Sequence, residues 1–220
     1  MTQPDVTPLE FEPVLTLLYC PGHLSFAPHV VLNEIGQPFK LECLSIKNGD
    51  TQQEAFRRIN PKGKVPVLLT PEGVLTEASA ILFYLALSFP EQQLLPKCVE
   101  QQALAIEWLN WLSSMMPASI APRLHPYRFT DEEQAWPAIR QRGLQACEQF
   151  YQQIEQRLSR SRWAMGDGYS IVDPVLMIFY RWGSLLGLDM TRFNYWQQHT
   201  AQMRQRPAVI KTLSTENIEI

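Results

Sequence analysis

Several things the 220 residues lack narrow the field at once. No apolar run approaches the ~18 residues that a membrane-spanning helix needs, so no membrane partner is expected. Basic charge is not concentrated anywhere: 19 Lys and Arg stand against 22 Asp and Glu, for a net charge of −3. Nucleic-acid binding by counterion release takes a Lys/Arg surface aimed at phosphates, and none is visible. Cysteine is scarce. Cys20, Cys43, Cys98 and Cys147 are widely spaced, with no Cys-x-x-Cys pair and no metal-ligand pattern. The four histidines, His23, His29, His125 and His199, lack metal spacing too, so no metal site is expected. Residues 1–13 hold Pro4, Pro8 and Pro13 but no basic and apolar leader, and read as a tail. A reducing cytoplasm is the expected setting. There is no internal repeat or low-complexity segment.

What is present fits an ordinary globular protein: 45% hydrophobic and 19% charged residues, enough for one large domain or two small ones. Residues 14–19 read as a strand, followed by the sharp turn Cys20-Pro21-Gly22-His23. Residues 25–36 read as a helix with Val30, Val31, Leu32 and Ile35 on its apolar face and Gly36 as its stop. Residues 39–46 alternate as a second strand, and 52–59 form a short polar helix. Val65, Val67 and Leu68 begin a strand that Pro71-Glu72-Gly73 joins to Gly73-Val74-Leu75 as a hairpin. A helix over 76–88 closes the unit. The order β-α-β-α-β-β-α implies one parallel crossover and one antiparallel hairpin, as in a thioredoxin-like domain over 14–89.

A proline-bounded linker follows, and 97–214 is helical throughout. A long helix reaches Met116-Pro117, with Pro117 and Pro122 expected to break or kink it. A second spans 131–158. Ser170-Ile171-Val172-Asp173 reads as a capping box before the apolar run 175–182, a folding element rather than chemistry.

The chain is organised around Asn60-Pro61-Lys62-Gly63-Lys64-Val65-Pro66-Val67-Leu68 and its continuation Leu75-Thr76-Glu77-Ala78-Ser79-Ala80-Ile81. Pro66 has no N–H to give a ladder and belongs at a strand start or special turn. A cis Val65-Pro66 bond is expected, leaving the Val65 N–H and C=O free to pair with an extended peptide. The helix opening at Thr76-Glu77-Ala78-Ser79 offers free N–H groups for a carboxylate, and Glu77 suits an ammonium.

This constellation resembles the glutathione site of the glutathione S-transferase family, in which a Val-Pro pairs with the cysteinyl backbone of glutathione and a Glu-Ser holds its γ-glutamyl end. Here the pair is Glu77-Ala78, with Ser79 one position late. The resemblance covers about residues 14–212. It implies an α/β thioredoxin-like N-terminal domain, an all-α C-terminal domain, glutathione as co-substrate, a small apolar electrophile and a homodimer. It places Lys47 at the glycyl carboxylate and Lys64, Val65, Pro66, Glu77, Ala78 and Ser79 around the tripeptide.

Such enzymes stabilise the glutathione thiolate with a hydrogen bond and a helix dipole, which depresses its pKa. Tyr19-Cys20-Pro21-Gly22-His23-Leu24-Ser25 resembles the bacterial beta-class turn, but Leu24 stands where that class has its cysteine. Pro117 follows Ser113-Ser114-Met115-Met116 where that class has a histidine. Three donor candidates remain: Ser25 at the helix start, Tyr19 at the strand end, and Cys20, whose pKa a neighbouring His23 cation would lower. Arg123, His125, Tyr127 and Arg128 are candidates for the cleft between domains. Two rival functions stand beside conjugation: a non-catalytic adaptor, favoured by the changes at Leu24, Ala78 and Pro117, and a glutathione-dependent disulfide reductase using Cys20.

Overall fold

The computed structural model describes residues 14–220; the tail expected at 1–13 lies outside them. The elements run β1 Thr16–Tyr19, α1 Phe26–Ile35, β2 Lys40–Cys43, α2 Glu54–Ile59, β3 Val67–Thr70, β4 Gly73–Thr76 and α3 Ala78–Ser88, then α4 Val99–Met115, α5 Ala121–Leu124, α6 Trp136–Leu158, α7 Asp173–Leu186, α8 Asn194–Met203 and α9 Pro207–Glu216. The four strands form one mixed sheet in the order β2-β1-β3-β4. β1 and β2 are parallel; β3 runs antiparallel to both β1 and β4.

Side chains alternate across a strand, and β1 uses both faces. Leu17 and Tyr19 join the main core with Phe26, Val30 and Ile81. Leu18 turns the other way, into a smaller cluster with Phe56 of α2 and Val67 of β3. Both faces are covered, so β1 reads as a continuous apolar run. β2 is one of the sheet's two outer strands, and all four of its residues are exposed. The alternation expected over 39–46 therefore marks an edge strand of four residues rather than a half-buried one. Gly36 ends α1 with φ 74, its N–H donating to Leu32 O at 3.2 Å.

The helical region differs from expectation at its prolines. α4 does not break at Pro117 but widens into a π-helical turn, Met116–Ile120, and runs on into α5. A wider turn leaves room for a residue that cannot donate, which is how the chain accepts Pro117 without ending. Ser170 and Asp173 pair as expected but in one direction: Ser170 N and Oγ donate to Asp173 Oδ2 at 2.7 and 3.0 Å, and Ser170 Oγ accepts from Val172 N at 3.3 Å rather than from Asp173 N, so Val172 and not Ser170 precedes the helix. Asp173 Oδ1 also accepts from Ala164 N, and His199 Nε2 lies 2.8 Å from it.

The two halves meet along α1. Asn33 Nδ2 donates to Thr212 Oγ1 at 2.9 Å, and Arg206 forks onto Glu34 at 2.6 and 3.1 Å. His29 Nδ1 lies 2.9 Å from Glu216 Oε1, both side chains being almost fully buried. Among the described residues no helix is long and apolar enough to cross a membrane, and no cluster of acidic, Cys and His side chains could hold a metal.

Candidate functional site at one end of the sheet

The topology gathers the predicted residues at a single edge. β1 and β4 end where β3 begins, because β3 is antiparallel to both. Leu18 faces Val67 across one ladder and Thr76 faces Val67 across the other. Continuing each register by two positions sets Cys20 level with Val65 on one side and Ala78 level with it on the other. β2, parallel to β1, ends at the same edge, so the exposed turn carrying Lys47 lies there as well.

Val65-Pro66 is cis, as expected. Among the described residues no group is bonded to the Val65 N–H or C=O. The approach to it is held by Asn60, whose Nδ2 donates to Lys64 O at 2.7 Å, and by Gln52, whose Nε2 donates to Gly63 O at 3.2 Å. The Lys64 side chain is exposed.

Glu77 adopts φ 72, ψ 122, a conformation that L residues rarely take and that costs about 1–3 kcal/mol. Its carbonyl still accepts the first bond of α3, from Ile81 N at 3.0 Å. The N–H groups of Ala78 and Ser79, at the positive end of α3, have no acceptor among the described residues. The Glu77 carboxylate is not free: Lys62 Nζ donates to it at 2.6 Å and to Thr76 Oγ1 at 2.9 Å. That pair is more than half exposed on both sides, so it holds weakly.

The turn between β1 and α1 is bonded on every side. Cys20 N donates to Ser25 Oγ at 3.1 Å, Ser25 Oγ donates to Cys20 O at 3.0 Å, and His23 N donates to Cys20 O at 3.2 Å. Gly22 N donates to Glu216 Oε2 at 2.9 Å, and Trp182 Nε1 donates to Gly22 O at 3.0 Å. Gly22 has φ 71, a conformation that favours glycine, and a Cβ there would also press on Arg181 Nη1 at 3.0 Å.

These contacts revise the three donor expectations. Ser25 is fully buried and its one hydroxyl hydrogen is given to the Cys20 carbonyl, so it fastens the turn. Tyr19 is buried; burial first, then the neighbouring Cys43 thiol, pushes its phenol up to about 12. Burial likewise pushes the Cys20 thiol up, with only partial relief from an Ile46 backbone hydrogen bond. Desolvation and the Arg181 charge push His23 below the usual histidine value, which disfavours the expected His23 cation beside Cys20. His23 itself keeps an exposed side chain. Of the suggested cleft residues, His125 bonds to the Tyr127 hydroxyl at 3.2 Å, and its pKa is pushed down by desolvation and by Arg128 and Arg140. Arg123 instead donates to Leu186 O at 2.8 Å and braces the helical region.

Sequence reasoning missed Lys62, Asn60, Glu216, Trp182 and Arg181. Asn60 was legible in principle, since Asn before Pro-x-Gly bonds neighbouring backbone. The other four act across long separations that no local pattern reveals. A separate surface cavity of ≈ 590 Å³ lies between α7 and the chain end, lined by Arg181, Arg204 and Leu213, and includes none of the predicted site residues.

Comparison with known proteins bears on this geometry. Residues 13–87 match the family model described as "Glutathione S-transferase, N-terminal domain". The glutathione S-transferase GstA of Escherichia coli O157:H7 is 31% identical over 212 residues, covering 93% of this chain and 100% of that protein. The chain belongs to the glutathione S-transferase family. Among solved structures, a glutathione transferase from Methylococcus capsulatus is 32% identical, with TM-score 0.80 over 93% of this chain and 99% of its own. A sphingomonad glutathione S-transferase complexed with glutathione is 26% identical, with TM-score 0.81 over 93% and 100%.

Proposed function

We propose that the protein binds glutathione at this sheet edge and joins its sulfur to a small apolar electrophile held against the helical region. The observation that carries the reading is the open Val65 main chain, flanked within two residues of register by Cys20 and by Ala78. The cysteinyl N–H and C=O of the tripeptide pair with Val65. Its γ-glutamyl carboxylate takes the Ala78 and Ser79 N–H groups, its ammonium takes Glu77 in place of Lys62, and its glycyl carboxylate meets Lys47, with Lys64 at the rim. The cysteinyl sulfur then faces the β1–α1 turn. There the thiol proton leaves to solvent, the sulfur pair forms the S–C bond, and the leaving group departs with its electrons.

The disulfide reductase reading loses support because Cys20 is buried and its thiol is pushed up, which disfavours the thiolate nucleophile. The adaptor reading has no use for a strained Glu77 beside a helix start. The domain division at residues 89–97, a cytoplasmic setting and a homodimer belong to the same proposal. The exposed apolar side chains Val99, Leu104 and Ile106 of α4 support the dimer. Titration calorimetry with glutathione, together with a conjugation assay on an aryl halide, tests the function. Binding with turnover is expected; binding without turnover points to the adaptor, and absence of binding refutes the reading.

A further inference from the structure

The turn that faces the sulfur lacks the donors its family would supply there. Leu24 is apolar, the Ser25 hydrogen is engaged by Cys20 O, and Tyr19 and Cys20 are buried. One polar side chain of residues 20–25 remains exposed: His23. We propose that His23 is a catalytic residue which donates its imidazole N–H to the thiolate of bound glutathione, and this rests on the glutathione reading above.

The geometry favours this residue in three ways. First, its backbone is fixed. Its own N–H donates to Cys20 O, and its neighbour Gly22 is held at both N–H and C=O by Glu216 and Trp182. A donor on a fixed backbone needs little reorganisation as charge develops on the sulfur. Second, its place is right. It follows the residue level with Val65 by three positions and precedes α1, a ten-residue helix. The N–H groups of Leu24 and Ser25, beside it at the positive end of α1, have no acceptor among the described residues. Third, the groups around it suit a neutral imidazole. Desolvation and the Arg181 charge act against its protonation, and Glu216, the opposing charge, is already bonded to Gly22 and His29. A neutral imidazole carries one N–H donor, enough for one hydrogen bond to sulfur. Arg181 adds a favourable charge for a nearby thiolate.

The test measures the pKa of the bound glutathione thiol from its thiolate absorbance, with S-methylglutathione as a probe that has no thiol to ionise. His23→Ala should raise the bound thiol pKa by about one to two units and lower kcat/KM at neutral pH about 30-fold, as for loss of one charged hydrogen bond. S-methylglutathione affinity should stay at the wild-type value. His23→Gln, which keeps an N–H donor, should restore part of the shift. An unchanged thiol pKa in His23→Ala overturns the proposal, as does a parallel loss of S-methylglutathione binding, which would make His23 a structural residue. Failure of the wild-type protein to bind S-methylglutathione would instead overturn the glutathione reading on which it rests.

Discussion

The two sides of the sheet edge are built differently. On the β1–α1 side, the turn is tied to the helical half by buried bonds: Glu216 to Gly22 and His29, Trp182 to Gly22. On the β4–α3 side, Glu77 is held by Lys62 through an exposed ion pair. Buried charged groups lose heavily when a partner is removed, whereas exposed pairs contribute little. The β1–α1 side, which the proposed binding mode turns toward the sulfur, is therefore preset, and the β4–α3 side, which it assigns to the γ-glutamyl end, is exchangeable. In that binding mode a ligand ammonium would displace a lysine at little cost, while the sulfur would meet a surface that does not have to move.

The largest effect should come from cutting the buried tie. Glu216→Ala leaves His29 and the Gly22 N–H without their partner, and should cost about 3–5 kcal/mol in denaturant unfolding. A loss below about 1 kcal/mol would erase the contrast between the two sides.

Glu77→Gln should be intermediate and should show in binding. Glutathione affinity measured by calorimetry should fall by about 1–3 kcal/mol, the cost of a charged hydrogen-bond partner. An unchanged affinity would place the ammonium elsewhere.

Lys62→Met should matter least for stability, within about 1 kcal/mol, because its pair is exposed. It should tighten glutathione binding, since Glu77 no longer has a resident cation. Weaker binding would show that Lys62 contacts the ligand rather than competing with it.

Alkaline unfolding sharpens the same contrast. Tyr19 keeps its proton in the folded state up to about 12, above its ordinary value near 10. Its contribution is fully present below pH ~10 and is lost as pH rises from there towards 12. Tyr19→Phe should flatten that decline in a pH series of thermal melts; an unaltered slope would assign it to other groups.

Much of the fold was legible in local pattern. Gly36 as a stop, the Pro71-Glu72-Gly73 hairpin and the Ser170–Asp173 pair each depend on chemistry within a few residues. At Pro117 the expected break is absent and the distortion takes the form of a π turn, which absorbs a proline that a regular α-helix would reject. Val65-Pro66 and Glu77-Ala78-Ser79 adjoin Val67 and Thr76, the facing residues at the end of one ladder, which sets both stretches at the same edge. Ser25 and Cys20 were legible as residues of one turn but not as residues bonded to each other, because burial decides that and burial of a turn depends on α7 and α9. Glu216 lies 194 positions from Gly22, and no reading of a turn alone could have supplied it.

A crystal structure with glutathione bound tests the central claim most directly. The account predicts the cysteinyl N–H and C=O paired with the Val65 main chain, the ammonium on Glu77 with Lys62 displaced, and the sulfur against the turn at His23. A tripeptide seated elsewhere, with the Val65 main chain unpaired, would contradict it.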